Sequence, residues 1–300
     1  MARHRRLIAR YQVRPGERLR LGALDPADTG GHGFASVGPG SARDRADAFL
    51  AANRAELSRY QELLWASDSH SVLVVLQAMD AAGKDGTIKH VMSGVNPQGC
   101  EVHGFRRPSP AELDHNFLWR YWDKVPARGR IGIFNRSYYE EVLVVKVHRE
   151  ILDAQRLPPP VGGRRFWRAR FDDINRFERH LARNGTVIVK FFLHMSKGEQ
   201  KRRLLERIEA RDKHWKFSAA DLEERGYWDE YMAAYQDMLR ATSTAWAPWY
   251  VIPADHKYVA RALVAAILSG TIASLGLKFP VPSRAAEREL AAARRRLLRR

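Results

Sequence analysis

Apolar positions along the chain follow two patterns. Short, nearly unbroken apolar runs at 72–76, 101–105, 131–134, 186–193 and 249–252 read as buried strands, because a strand covered on both faces has no polar side to show. Between them, apolar residues recur at spacings that fit one face of a helix. In 42–65 that face carries Phe49, Leu50, Leu57, Tyr60 and Leu64; in 164–183 it carries Phe166, Ile174, Phe177 and Leu181. Tyr227, Tyr231, Tyr235 and Met238 share the spacing and read as core rather than as a base-stacking platform. Buried strands alternating with helices predict an α/β fold: a parallel sheet covered on both faces, with ligands at the carboxyl ends of the strands. Residues 11–40, rich in Gly, Pro and Asp and without period, predict an extended lead-in draped over the domain, and 157–163 a Pro/Gly connector. The segment 259–277 is the most apolar long stretch, yet Arg261 and its Gly, Ser and Thr residues favour a buried helix over a membrane span.

The chemistry gathers where the first strand ends. Gln77-Ala78-Met79-Asp80-Ala81-Ala82-Gly83-Lys84-Asp85-Gly86-Thr87 follows the 72–76 run and leads into a helix-compatible segment. Strand, tight small-residue turn, Lys, then helix makes a cradle for a polyanionic phosphate chain: N–H groups at the helix start face the phosphates, and the ammonium neutralises a charged oxygen. The pattern G-x-x-x-x-G-K-[ST] is met imperfectly, since Ala78 replaces the first glycine and Asp85 stands where a metal-binding hydroxyl is usual. Asp80 inside the loop would repel phosphate unless a divalent cation sits between them. The chain therefore reads as a phosphoryl-transfer enzyme.

Two further segments fit that reading. Asn135-Arg136-Ser137-Tyr138-Tyr139-Glu140-Glu141 leaves the 131–134 run, whose end can reach the phosphates. Arg136 suits a bidentate phosphate clamp; Glu140 and Glu141 suit a Mg²⁺ ligand or an acceptor contact, and equally a helix start whose dipole favours acids. After the 186–193 run, Ser196 and Glu199 form a capping box. Arg203, Arg207 and Arg211 then align on one helical face. Alone, such a face is usually just solvated; behind a phosphate loop it suits a lid that excludes water and supplies transition-state charge.

Charge narrows the partners. Fifty-one Lys and Arg against 34 Asp and Glu give a net charge of +17, which favours anions such as polyphosphate, nucleic acid or an acidic membrane. Residues 284–300 carry seven arginines and two glutamates, a solvated basic helix or a frayed end. One cysteine, Cys100, excludes an internal disulfide and a Cys-rich zinc site. MARHRRLIAR has neither a sustained apolar stretch nor a cleavage signal, so a soluble, cytoplasmic protein is expected. The aromatic content leaves room for a subunit interface, so a homo-oligomer is expected.

The motifs QAMDAAGKDGTIKHVMSGVNPQG, ELDHNFLWR, RGRIGIFNRSYYEEVLVVKVH, FFLHMSKGEQKRRLLERIE, HWKFSAADLEERGYWDEYM and TSTAWAPWYVIPADHKY together resemble the polyphosphate kinase 2 family, from about Tyr11 to Phe279. The resemblance implies a three-layer α/β/α P-loop kinase fold, thymidylate-kinase-like, with a parallel central sheet and a helical lid. It divides the chain into an N-terminal lead-in (1–41), a phosphotransferase domain (42–279, lid about 196–226) and a basic tail (280–300). It implies that Asp80 organises Mg²⁺, or Mn²⁺ in its place, together with the reacting phosphate. Lys84 then binds phosphate, and Arg136, Arg203 and Arg207 stabilise the transferring group. Ala81, Ala82, Gly83, Asp85, Gly86, Thr87, Asn135, Glu140 and Glu141 would line the phosphate and nucleotide site. Two departures stand out: Ala78 replaces a glycine common in the family, and Asn135 replaces an Asp found in some relatives, shifting metal binding onto Asp80. SYYEEVLVV resembles members that phosphorylate nucleoside monophosphates as well as diphosphates.

The implied reaction transfers the terminal phosphate of inorganic polyphosphate to AMP and/or ADP, without nucleic acid or membrane, and its reversal toward polyphosphate from ATP is chemically allowed. An ATP-dependent nucleoside monophosphate kinase would share loop, sheet and lid. A non-catalytic polyanion binder would share the charge, but Asp80 and the acidic pair weaken a site built only for anion capture.

Overall fold

The computed structural model describes residues 8–29, 41–216 and 218–298, Lys216 by its backbone alone. Five strands, β1 (Ser71–Gln77), β2 (Cys100–Gly104), β3 (Ile131–Asn135), β4 (Thr186–His194) and β5 (Trp249–Pro253), form one sheet in the order β2-β3-β1-β4-β5. Every neighbouring pair is parallel, with Val72 opposite both Ile131 and Val187, and Lys190 opposite Trp249. All five predicted apolar runs are strands. β1, the middle one, is buried at every position, as a strand covered on both faces must be.

Eight helices are labelled here: α1 (Ala42–Ser67), α2 (Lys84–Val91), α3 (Gly163–Arg183), α4 (Lys197–Glu209), α5 (Ala220–Gly226), α6 (Trp228–Thr242), α7 (Lys257–Ala273) and α8 (Arg284–Leu297); shorter helical turns fill the connections. On one face α7 lies along α1 and closes a core of Leu57, Leu64, Val74, Ile133, Phe191 and Leu263. On the other, α3 and α6 cover Leu73, Val75, Phe134, Phe192 and Trp249 with Ile174, Phe177, Tyr235 and Met238. The tyrosine stripe is core at Tyr231 and Tyr235, whereas Tyr227 is exposed. Arg261 and most of the small residues of the apolar segment sit on α7, which packs against α1 and the sheet, and no helix among the described residues is long and apolar enough to cross a membrane.

The lead-in is strapped down rather than draped. Tyr11, Val13, Leu19 and Leu21 are buried, and Gln12 pairs antiparallel with Tyr250 on the edge strand β5. Val13 N–H donates to Trp249 O at 2.9 Å, and Leu21 N–H donates to Gln236 Oε1 at 3.0 Å. Residues 30–40, and the first seven on which the export expectation rests, lie outside the described residues.

Candidate active site

β1 delivers the chain to the loop 78–83, and α2 leaves it at Lys84. Ala82 N–H donates to Met79 O at 3.3 Å and closes the turn. The left-handed conformations fall on Ala81 (φ 64°) and Gly83 (φ 103°), not on Ala78, so alanine fits where the usual pattern has its first glycine. Two cations hold the loop's carbonyl side. Lys84 Nζ donates to Ala78 O at 2.7 Å and to Met79 O at 3.4 Å. Arg203 Nη1 donates to Ala81 O at 3.2 Å and Ala82 O at 2.8 Å. A trans peptide points its N–H opposite its C=O, so tying back the Ala82 carbonyl turns the Gly83 N–H the other way, as an anion-binding nest requires.

β3 lies beside β1 and brings the second segment to the loop. Arg136 takes a left-handed backbone (φ 65°), a strain of about 1 kcal/mol at a residue aimed into the site. Its Nη2 donates to Asp80 Oδ1 at 2.9 Å. Burial acts to raise the Asp80 carboxyl, but Lys84, Arg136 and Arg207 outweigh it and hold the group below its ordinary range. The Lys84 ammonium is lowered by burial, against the pull of Asp80, Glu140 and Asp85. Glu140 joins this cluster, raised by burial while Arg136 and Lys84 oppose the shift. Asn135 Nδ2 donates to Asp85 Oδ1 at 2.6 Å, which spends Asp85 on joining the α2 start to the end of β3.

Four expectations need correction, the last of them the expected role of Arg203 on the transferring group. Glu141 turns away from the loop: it accepts from Arg170 Nη1 at 3.0 Å and Gln155 Nε2 at 2.7 Å in a buried ion pair against α3. The capping box is half made. Ser196 Oγ accepts from Glu199 N–H at 3.1 Å, but Asp255 takes the Ser196 N–H at 2.8 Å because Glu199 is occupied by Arg202 and Arg203. The line of three arginines does not form, since α4 ends at Glu209 and Arg211 lies beyond it, exposed.

Arg203 and Arg207, one turn apart on α4, differ sharply. Arg203 is 3% exposed and donates through Nε to Glu199, through Nη1 to the two loop carbonyls, and through Nη2 to Ala254 O (2.6 Å) and Asp255 O (3.1 Å). A guanidinium has five N–H donors, and all five are used. Arg203 thus ties the loop to the segment after β5 and has no donor left for a phosphoryl oxygen. Arg207 makes one ion pair, Nη1 to Asp221 Oδ2 at 3.1 Å, and faces the site.

The loop, β3 end and lid border an open cavity of about 560 Å³, lined by Asp80, Ala81, Ala82, Gly83, Lys84, Asp85, Gly86, Thr87, Asn135, Arg136, Arg203 and Arg207. Eight basic side chains border it against four acidic ones, so it favours several negative charges at once. Sequence reasoning missed Arg106 after β2, Lys213, Trp215 and Asp221 in the lid, and Lys257 and Arg261 on α7. Arg261 had left a signal, as a cation in an otherwise apolar run; the others lay in motif blocks or turns without one.

Among the described residues no group of three or more His, Cys, Asp or Glu is placed to hold a metal. A Mg²⁺ ion in phosphoryl transfer needs only one or two carboxylates, with phosphate and water completing its shell. Asp80 supplies one that stays ionised. Asp221 is raised by burial and then by repulsion from Asp80, so the two carboxylates oppose each other across the cavity, a strain that a divalent cation would relieve.

A parallel sheet with a strand–loop–helix phosphate cradle, a helical lid and a cationic cavity defines a P-loop phosphotransferase. Residues 40–278 match the family model for polyphosphate kinase 2. The chain is 54% identical over 244 residues to the ADP-polyphosphate phosphotransferase of Rhodopseudomonas palustris, covering 81% of this chain and 84% of that one. It is 46% identical over 281 residues to the AMP/ADP-polyphosphate phosphotransferase of Meiothermus ruber, covering 94% and 98%. The crystal structure of polyphosphate kinase 2 from Arthrobacter aurescens superposes with a TM-score of 0.84 at 38% identity, covering 96% of each chain. The chain belongs to the polyphosphate kinase 2 family.

Proposed function

We propose that the protein transfers the terminal phosphoryl group of inorganic polyphosphate to AMP and ADP. The cavity's excess of basic over acidic side chains around the phosphate loop carries this reading, because a linear phosphate polymer has roughly one negative charge per unit and needs an extended cationic wall. The names of the Rhodopseudomonas and Meiothermus relatives support donor and acceptors alike.

A terminal oxygen of the nucleotide attacks the end phosphorus of the polymer in line. The anhydride bond to the next phosphate breaks, and the shortened polymer leaves with the bonding pair. Lys84 and the turned-out loop N–H groups position the polymer end. Arg136 and Arg207 lie where charge develops on the transferring group, and Arg207 can exchange Asp221 for a phosphoryl oxygen. Arg203 keeps the loop in shape. Asp80, with Asp221, would hold Mg²⁺ or Mn²⁺, which supplies charge neutralisation to the reacting phosphates. No covalent enzyme intermediate is needed, and the reverse reaction builds polyphosphate from ATP. A reaction on AMP and ADP suits the cytoplasm, and none of its steps calls for nucleic acid.

Incubation with AMP or ADP, Mg²⁺ and polyphosphate, in the absence of any nucleoside triphosphate, tests donor and acceptor together. Formation of ADP and ATP is expected. No product from polyphosphate, with ready phosphorylation of AMP by ATP, would transfer the assignment to an ATP-dependent nucleoside monophosphate kinase.

A further inference from the structure

The helix α8 lies beyond the matched residues 40–278, and none of its side chains is buried. It is well begun, with Ser283 Oγ accepting from Ala286 N–H at 3.2 Å, but a lone helix of this length is marginal in water without an apolar partner. Its apolar residues are ordered. Ala286, Leu290, Ala293 and Leu297 recur at spacings of four, three and four, a single seam of the kind that pairs helices. Leu290 and Leu297 are 61% and 75% exposed.

The residues beside the seam specify the partner. Glu287 and Arg294 flank it on one side, Glu289 and Arg296 on the other, while Arg288 and Arg295 point away from it. In an antiparallel pair of identical helices, each flank meets the same flank of its copy running in reverse. Glu287 then faces Arg294 of the copy, Glu289 faces Arg296, and every layer sets a leucine against an alanine, so large and small side chains interdigitate. A parallel pair would stack leucine on leucine and alanine on alanine, leaving alternate layers underfilled, and would leave Glu287 without a cation. We propose that α8 pairs antiparallel with α8 of a second copy of this chain, joining two catalytic bodies through their C-terminal helices. The proposal rests on helix geometry and charge, independently of the phosphotransfer reading.

Full-length protein in a Cys100→Ser background tests the geometry. Mixing Glu287→Cys with Arg294→Cys chains should give an intersubunit disulfide on mild oxidation, and Glu287→Cys alone should give none. By sedimentation, Leu290→Glu or Glu287→Arg should halve the mass of the assembly, and mixing Glu287→Arg with Arg294→Glu chains should restore it. Turnover per chain and the melting temperature should stay unchanged, because α8 is neither in the core nor at the cavity. No cross-link in the mixture, with a mass unaltered by either substitution up to millimolar protein, would overturn the pairing. Unchanged mass with weaker polyphosphate retention would likewise reject it and make α8 a tether for the polymer.

Discussion

Two lysines with acids nearby, one on β4 and one just beyond β1, differ in how their donors are used. Lys190, on β4, is fully buried with Glu178, and its Nζ donates to Glu178, to Tyr139 Oη and to Thr242 O, each at 2.7 Å. Lysine has three donors, so this one is saturated. Complete burial pushes it down to about 8 while Glu178 pulls the other way. Lys84 spends its donors on two loop carbonyls, one of them at 3.4 Å, and shares Asp80 with Arg136 and Arg207 across an open cavity. The same residue types thus make a closed network in the core and an under-satisfied one at the site. Function resides in the second, where incoming oxygens can complete what the protein has left short.

The largest effects should separate these two lysines. Lys84→Met should lower kcat/KM for polyphosphate on the order of 10³-fold with little change in melting temperature. Lys190→Met should instead cost about 3–5 kcal/mol of stability, because it leaves Glu178 buried without its cation, while the remaining folded enzyme keeps its turnover. Denaturant titration beside steady-state kinetics checks both, and a catalytic loss in folded Lys190→Met would break the contrast.

An intermediate effect should divide the two arginines of α4. A lysine cannot replace five donors in a fixed fork, so Arg203→Lys should behave nearly like Arg203→Ala, losing about 1–3 kcal/mol and speeding amide exchange at residues 80–84 before any substrate is added. Arg207→Lys keeps its charge and should raise KM only several-fold, within about 0.5 kcal/mol of wild-type stability. If Arg203→Lys retained full activity, the guanidinium would not be shaping the loop.

The smallest effect concerns pH. Asp80 is held low and stays ionised on mild acidification, whereas Asp221 is raised and takes up a proton first. Protonated Asp221 loses its share of a bound cation, so activity should fall as pH drops through the raised Asp221 range. Asp221→Asn should remove that acidic limb from the pH–rate profile and lower the rate at neutral pH. An unchanged limb would assign it to another group.

Much of this was written in the chain. The five strands follow from apolar runs that only a doubly covered sheet can bury, and the phosphate loop from a Lys at the junction of strand and helix, since both are local statements about periodicity and spacing. Asp80, Lys84 and Arg136 come together because β1 and β3 are neighbours, and the strand pattern already placed their ends on one side. What the sequence could not separate was residues of equal type whose neighbours come from afar. Arg203 and Arg207 read alike until the carbonyls of Ala81, Ala82, Ala254 and Asp255 converge on one of them, and Glu140 and Glu141 read alike until Arg170 of α3 claims the second. Donor saturation depends on which backbone atoms packing brings within 3 Å or so of a side chain, and only the tertiary structure decides that.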